Sequence, residues 1–251
     1  MRMPRGKLYL VGIGPGDPVH ATLYARSVLN TVDTIVGYQR YVELVKPWIP
    51  SSIELISMGM GMERHRALAA LERASRGARV ALISSGDPGV YGLASLAIAA
   101  NRLYGYNVDI KVVPGVTAAL AAASLLGAPL NNDFAVISLS DYLVPLLEIE
   151  ENLRAVASTS MVIALYNPSS SRRRTNLVRA LDMIRRARGN VPVGIVSNAY
   201  RENQRVLITR ISEVDTESIG MDTLLIIGSR RTKIVGNHMI TVRGYREELE
   251  V

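Results

Sequence analysis

Short apolar runs that alternate with longer segments of helical period constrain the fold of this 251-residue chain more than any other feature. The runs are rich in Val, Ile and Leu and have the length of buried strands. They cover residues 8–13, 31–36, 79–84, 109–113, 134–139, 161–166 and 193–196. Because neighbouring parallel strands need a crossover connection, the alternation predicts an α/β protein with a largely parallel sheet.

The last part of the chain follows a different pattern. Two apolar runs, 223–227 and 238–242, flank the glycine-containing stretch 228–237 and predict a hairpin, so a mixed sheet is expected in the second half. Pro114-Gly115 lies between a strand and a helix and is the predicted boundary. The sequence therefore predicts two α/β domains, 1–115 and 116–251, with the active site in a cleft between them.

The residue types present exclude several kinds of chemistry. The chain has no cysteine, which excludes disulfides, thiolate zinc sites and a cysteine nucleophile. His20, His65 and His238 are too far apart in sequence to form a ligand pattern, so no metal site is predicted. Residues 1–6 contain no apolar run like that of a signal peptide, and the longest apolar stretch, 116–126, is too short to span a bilayer, so a cytoplasmic protein without membrane attachment is expected.

A formal net charge of +7 indicates an acidic partner, which could be a nucleic acid, a membrane surface or a polycarboxylate. The densest basic run, 172–188, contains seven arginines and one acid, Asp182. Leu177, Val178, Leu181 and Ile184 have helical core spacing within it, which favours a solvated face on a packed helix. A single Phe and a single Trp provide no stacking ladder for nucleic acid.

A short motif in which Asp or Asn precedes Pro occurs three times, as Gly16-Asp17-Pro18, Gly86-Asp87-Pro88 and Tyr166-Asn167-Pro168. Each follows a predicted strand and is expected to open a helix, because Asp or Asn accepts hydrogen bonds from the first helical turn and Pro needs no donor there. Helix capping alone would explain all three. Their position at the carboxyl ends of strands is also where open α/β sheets bind ligands.

The first of these loops, residues 12–18, is not a dinucleotide loop. The third glycine of that fingerprint would fall at Asp17, and the second strand ends in Val36-Gly37-Tyr38 without the acid that binds ribose. NAD is therefore not predicted as a ligand. The second loop is more unusual, since Gly86, Gly89 and Gly92 allow a close approach of the backbone to a ligand.

These two loops resemble the signature loops of the tetrapyrrole methylase family, which carry Gly-Asp-Pro after the first and third predicted strands. Five more segments resemble that family in the expected order, namely 113–119, 133–141, 164–168, 193–199 and 243–245. Segments 134–141 and 165–168 are most similar to the branch that methylates carbon 17 of precorrin-3B or cobalt-factor III with ring contraction. Asn132 and Leu146 depart from that branch, which usually has His and Trp there, so no acid/base role is carried over to residue 132.

The resemblance implies S-adenosylmethionine as methyl donor, a tetrapyrrole substrate that could contain cobalt, and a homodimer. By resemblance, the donor-binding residues are Gly86, Asp87, Val90, Thr117, Ala118, Tyr166, Asn167, Ala199 and Leu225. The first-loop residues Gly14, Pro15, Gly16 and Asp17 are expected to bind the substrate. Arg172 and Arg173 are further candidates, because the substrate carries several carboxylates and guanidinium groups pair with them.

The sequence identifies no general base. Alignment of the donor with the nucleophilic carbon is expected to dominate catalysis instead. Another tetrapyrrole methylase, acting on a different carbon, is an alternative that the loops would also fit. An RNA methyltransferase of the same architecture would explain the net charge, but the absence of an aromatic ladder argues against it. A tetrapyrrole carrier without chemistry would explain the loops, but the intact donor motifs argue against it.

Overall fold

The structure is a computed structural model that describes residues 6–169 and 174–244. The chain divides into two compact units, Met1–Ala118 and Ala119–Val251. The predicted boundary after Gly115 lies close to this division and stays a prediction.

The first unit is built on five strands that are all parallel to their neighbours. The strands are β1 (Lys7–Gly12), β2 (Thr34–Tyr38), β3 (Glu54–Met58), β4 (Arg79–Ser84) and β5 (Asp109–Val113), in the order β3-β2-β4-β1-β5. The apolar run predicted at 79–84 coincides with β4, and that predicted at 109–113 with β5. β3 was not predicted, because it lies at the sheet edge and has no fully buried residue.

Helices cover both faces of this sheet, as a parallel sheet requires. They are α1 (Leu23–Leu29), α2 (Gln39–Val45), α3 (Glu63–Ser75) and α4 (Ala94–Leu103). Leu8, Leu10 and Leu82 pack with α3 and α4 on one face. Val11 and Ile83 point to the other face and pack with α1 and α2. The alternation of strand side chains therefore fills two separate cores.

The second unit contains a mixed sheet, as predicted. Its strands are β7 (Phe134–Ser138), β8 (Val162–Tyr166), β9 (Pro192–Ser197), β10 (Arg205–Arg210) and β11 (Thr223–Ile227), in the order β10-β9-β11-β8-β7. Only β7 and β8 pair in parallel. Helices α6 (Leu146–Ala157) and α7 (Arg174–Arg188) pack on one face of this sheet. Helix α5 (Ala118–Leu126) reaches the other face, where Leu126 fills the space beside Gly194.

The predicted C-terminal hairpin is wrong. β11 pairs with β8 and β9 inside the mixed sheet. The hairpin partner of β13 (His238–Thr241) is β12 (Thr232–Val235), a strand within the stretch that was predicted as a loop. These two strands form a small sheet with β6 (Gly127–Ala128). All five positions of β11 are buried, as expected for a strand that has neighbours on both edges.

The arginine-rich segment forms the packed helix that its spacing predicts. Leu177, Leu181 and Ile184 of α7 are buried in the core of the second unit. Val178 is an exception, because half of its surface is exposed (51%), so it does not belong to the core as expected. Within residues 6–169 and 174–244, no helix combines the length and the apolar character that a bilayer span requires.

Candidate active site

In the first unit, a crevice is expected at the carboxyl ends of strands β1 and β4. These strands are neighbours, but the helices that follow them lie on opposite faces of the sheet, α1 with Val11 and α4 with Leu10. The loops that leave the two strands therefore separate at the carboxyl edge of the sheet. Open α/β sheets bind their ligands at such a point.

Backbone contacts hold the two loops together. Gly14 N donates to Gly86 O at 3.2 Å, and Gly86 N donates to Gly14 O at 2.8 Å. Gly86 has φ of +65°, which favours glycine. A Cβ at Gly115 would lie 2.1 Å from Gly86 O, and a Cβ at Gly12 would lie 2.5 Å from the same atom. The loops after β1, β4 and β5 thus meet where only glycine fits.

Asp87 joins two of these loops through both of its carboxylate oxygens. Oδ1 accepts a hydrogen bond from Gly89 N at 2.7 Å, and Oδ2 accepts one from Gly115 N at 3.0 Å. The carboxylate is half-buried, so its charge is fixed in position at the crevice and still accessible to a ligand. A fixed carboxylate there favours a cation or a hydroxyl donor as its partner.

The helix-cap expectation holds for Asp17 and fails for Asp87. Asp17 accepts from Val19 N at 2.8 Å and caps the one-turn 3-10 helix Pro18–His20. Asp87 opens no helix, because α4 begins only at Ala94. The second acceptor bond, to a loop 28 residues away, uses the oxygen that a cap would leave free.

The other predicted ligand residues of the first unit lie around the same loops. Thr117 Cα would lie 3.4 Å from a Cβ on Gly86. Val90, Thr117 and Ala118 are half-buried. The predicted substrate residues Gly14, Pro15 and Gly16 are buried, whereas Asp17 is partly accessible.

In the second unit, Tyr166 and Asn167 follow β8 and are tied to neighbouring elements. The Tyr166 hydroxyl accepts a hydrogen bond from Ala119 N in the first turn of α5, at 2.7 Å. Asn167 has φ of +50°, and its Nδ2 donates to Ser138 Oγ at the end of β7, at 2.9 Å. Both residues are half-buried at the carboxyl edge of β7 and β8. Asn167 opens no helix in the described residues, since α7 begins at Arg174.

The remaining predicted site residues differ in accessibility. Ala199 is half-buried in the turn after β9, beside Tyr200, whose hydroxyl lies 2.8 Å from Ser124 Oγ. Leu225 is fully buried in the core cluster of β8, β9 and β11, so we expect it to act by packing. Arg172 and Arg173 lie outside the described residues.

Three residues with a clear part in this geometry were missed as site residues from the sequence. Gly12 and Gly115 shape the crevice, and Ser138 positions Asn167. Pro-Gly at the end of a strand was a usable signal for Gly115, but it was interpreted as a domain boundary. No local pattern distinguishes Ser138. Among residues 6–169 and 174–244, no three His, Asp or Glu side chains are grouped so that they could hold a metal ion.

Comparison with solved structures gives the same architecture over nearly the whole chain. The crystal structure of the methyltransferase CobJ has a TM-score of 0.89 and 32% identity, covering 94% of this chain and 100% of that one. Uroporphyrin-III C-methyltransferase from Thermus thermophilus, solved with S-adenosyl homocysteine, has a TM-score of 0.67 and 26% identity. That match covers 89% of this chain and 92% of the other.

Sequence relatives carry related names. "Cobalamin biosynthesis protein CbiHC" of Archaeoglobus fulgidus is 46% identical over 98% of this chain, which spans about half (54%) of that protein's length. A "probable cobalt-factor III C(17)-methyltransferase" of Methanocaldococcus jannaschii is 42% identical, covering 97% of this chain and 100% of the relative. A "precorrin-3B C(17)-methyltransferase" of Sinorhizobium sp is 38% identical, covering 92% of this chain and 91% of the relative.

The family model for tetrapyrrole (corrin/porphyrin) methylases matches residues 7–215, which include the loops after β1, β4, β5, β8 and β9. The match confirms the resemblance that the glycine and Asp-Pro loops indicated, and this chain belongs to the tetrapyrrole methylase family.

Proposed function

We propose that this protein is an S-adenosylmethionine-dependent C-methyltransferase of cobalamin biosynthesis that methylates carbon 17 of a tetrapyrrole and contracts its ring. The observation that carries the proposal is the combination of a CobJ-like fold with full-length relatives named for the C(17) reaction. The cobalt-containing substrate, cobalt-factor III, is favoured, since the relative named for it is more similar than the one named for precorrin-3B.

The residues of the first unit fit the methyl donor. S-adenosylmethionine supplies a methyl group on a positively charged sulfonium. The fixed, partly accessible carboxylate of Asp87 can attract that cation or accept a hydrogen bond from a ribose hydroxyl. Gly86 leaves the adjoining backbone without a side chain, and Val90 and Thr117 offer half-buried surface beside it. We therefore assign Gly86, Asp87, Val90, Thr117 and Ala118 to donor binding.

The second unit contributes Tyr166, Asn167 and Ala199 to the proposed donor-binding set. The hydrogen bonds from Ala119 N to Tyr166 and from Asn167 to Ser138 hold the first two side chains in one orientation each. Such fixed orientations suit a reaction in which the donor methyl and the nucleophilic carbon must be brought into line. The chain's part in the transfer is thus to bind and align, and Leu225 supports that edge of the sheet from the core.

Substrate binding is proposed for the first loop and for the start of the arginine-rich segment. Asp17, with Gly14, Pro15 and Gly16, would contact the macrocycle, and Arg172 and Arg173 would pair with its carboxylates. Replacing Arg172 with Ala should raise the KM for the tetrapyrrole by roughly tenfold or more, because a charge-assisted hydrogen bond contributes about 1.5–3 kcal/mol. Donor affinity should not change. An unchanged KM in both Arg172→Ala and Arg173→Ala would remove these residues from the site.

Product analysis tests the reaction itself. The protein is incubated without oxygen with S-adenosylmethionine and either cobalt-factor III or precorrin-3B, and the products are analysed by mass spectrometry and NMR. We expect one added methyl group on carbon 17 of cobalt-factor III and a contracted ring. Methylation of precorrin-3B alone would assign the cobalt-free substrate, and methylation at another carbon would contradict the C(17) assignment.

We also propose a cytoplasmic homodimer. The segment before α6 carries exposed apolar side chains, including Tyr142 (76% exposed) and Leu143 (86% exposed). Such side chains support the proposal that a second chain covers this surface of the second unit. Helix α5 is rich in alanine, which would allow close packing between chains. Ala119, Ala121 and Ala122 are instead buried in the fold. Light scattering at low concentration should give twice the chain mass, and a monomer mass would contradict the dimer while leaving the chemistry untouched.

A further inference from the structure

A polar cavity of about 270 Å³ lies in the second unit at the end of the sheet opposite Tyr166. Its wall combines the residues between α6 and β8, the last turn of α7 and the loop after β11. The polar groups are Ser158, Thr159, Ser160, Arg188, Arg230 and Arg231. Since β8 starts at Val162 and ends at Tyr166, the cavity is distinct from the candidate donor residues of this unit.

The charged residues that line this cavity are all positive. Of the residues that the structure describes, three arginines line it and no acidic residue does. In the parts of the chain that the structure describes, none of the ion pairs involves Arg188, Arg230 or Arg231. Arg230 and Arg231 are exposed, whereas Arg188 is nearly buried at 6% exposure. Grouped cations without acidic partners attract an anion.

Arg188 is held in one position by backbone carbonyls. Its Nε donates to Ala157 O at 2.9 Å, Nη1 to Gly228 O at 3.1 Å and Nη2 to Val156 O at 2.8 Å. Arg230 is oriented by one bond, from Nη2 to Ala187 O at 2.9 Å. A guanidinium has five N–H donors, so both groups keep donors for a ligand.

The arrangement keeps like charges close together. Burial, and secondly the positive charge of Arg230, lower the pKa of Arg188 to about 10, so Arg188 stays charged at neutral pH. Satisfying the carbonyls of Val156 and Ala157 at the end of α6, and that of Gly228 after β11, explains Arg188. It does not explain Arg231, which lines the same cavity. An oxyanion would accept hydrogen bonds from the remaining guanidinium donors and offset the repulsion.

We propose that this cavity binds a small phosphate-type oxyanion, with Arg230 and Arg231 as its main ligands and Arg188 as a fixed cation behind them. The volume is below the roughly 300–1,000 Å³ of pockets for drug-sized ligands, which favours a small anion. The hydroxyls of Ser158 and Thr159 donate to Ala155 O and Val156 O, so the Ser160 hydroxyl is the one that suits a further oxygen of a tetrahedral anion. This inference is independent of the methyltransferase assignment.

Calorimetric titration of the full chain with inorganic phosphate, at constant ionic strength in chloride, tests the proposal. We expect one saturable site per chain. Arg230→Gln and Arg231→Gln should each weaken phosphate binding by about tenfold or more, because each removes charge-assisted hydrogen bonds. Arg205→Gln, which changes an exposed arginine on β10, is the matched control and should bind as the wild type does.

A second variant places a carboxylate inside the cavity. Ser160→Asp should abolish phosphate binding while the protein stays folded, since the new charge pairs with the arginines. Adenosine 5′-monophosphate and citrate separate the sources of the anion. Tighter binding of the monophosphate would identify a phosphate ester as the natural ligand, and tighter binding of free phosphate would identify the free anion. Absence of saturable phosphate binding, equal binding by the Gln variants, or preference for citrate would overturn the proposal.

Discussion

At the scale of single residues, Asp87 does more than its local sequence indicates. The Gly-Asp-Pro pattern predicts a side chain that caps the next turn, and Asp17 in the first loop does only that. Asp87 in addition accepts from Gly115 N and thereby joins the loops after β4 and β5. The same three-residue pattern therefore has two different structural consequences, which a matched pair of variants can separate.

Asp87→Asn should lower the free energy of unfolding by about 1–3 kcal/mol, because Asn offers one acceptor oxygen where two backbone donors need one each. Asp17→Asn is the control. It can keep its single bond to Val19 N, so its effect should be within about 0.5 kcal/mol. Urea unfolding measures both. Equal stability of the two variants would show that the bond to Gly115 contributes nothing.

Titration with S-adenosylmethionine separates the ligand role of Asp87 from its structural role. If the carboxylate contacts the donor, Asp87→Asn should weaken donor binding by about tenfold or more. Asp17→Asn should leave donor affinity unchanged. Wild-type affinity in a folded Asp87→Asn protein would restrict Asp87 to holding the loops.

At Gly115, the backbone of the loop after β5 closely approaches the backbone of the loop after β4. A Cβ there would lie 2.1 Å from Gly86 O, so Gly115→Ala must displace the loop after β4. We expect a loss of about 2 kcal/mol or more in unfolding free energy, since such an overlap forces a backbone shift. Gly220→Ala is the control, because nothing lies within 4 Å of a Cβ at that position. Similar stability of both variants would contradict the close approach.

At the scale of elements, the first turn of α3 is held by a partly buried ion pair. Arg66 is 5% exposed, and its Nη2 lies 2.9 Å from Glu63 Oε1 while its Nη1 donates to Gly59 O at 2.7 Å. Burial alone would raise the pKa of Glu63, but backbone N–H donors and Arg66 outweigh it and hold that pKa below 4.5. The ionised carboxylate is therefore favoured in the folded state.

Glu63→Gln should destabilise the protein at neutral pH by at most about 1 kcal/mol, since the carboxylate is partly exposed. A lowered folded pKa means that this contribution is complete above pH 4.5 and is lost as the pH falls through the folded pKa. Wild type and variant should converge in stability once the pH is below the folded pKa of Glu63. Glu72→Gln, which breaks an exposed pair with Arg76, is the control. A pH-independent difference would contradict the electrostatic origin.

At the scale of the whole molecule, ligand binding should distinguish a methyl donor from a dinucleotide. The loop after β1 holds Gly14 against Gly86 and caps a 3-10 turn with Asp17, which leaves no helix N-terminus for a pyrophosphate. S-adenosylmethionine at 100 times its Kd should stabilise the folded chain by about 2.7 kcal/mol. NAD at the same concentration should have no effect in the same thermal unfolding measurement. Stabilisation by NAD alone would contradict the donor assignment.

The sequence by itself determined the fold class, the central strands and the family. A buried strand such as β4 is recognisable from its continuous apolar run, because both of its faces are covered. β5 lies at the sheet edge and is mostly exposed, and its apolar residues Ile110, Val112 and Val113 still mark it as a strand. The loops after them carry Gly, Asp and Pro, whose backbone preferences are local. Those signals are readable without knowing which strands are neighbours.

Only the tertiary structure decided which elements pair and which side chains meet. The edge strands β3 and β10 were missed, since none of their positions is fully buried and charged or polar residues keep their apolar runs short. The partner of β13 was assigned wrongly because strand order depends on contacts far apart in the chain. The bond of Asp87 to Gly115 and the full burial of Leu225 have the same origin, as both follow from strand order in the sheet, and no local periodicity encodes that order.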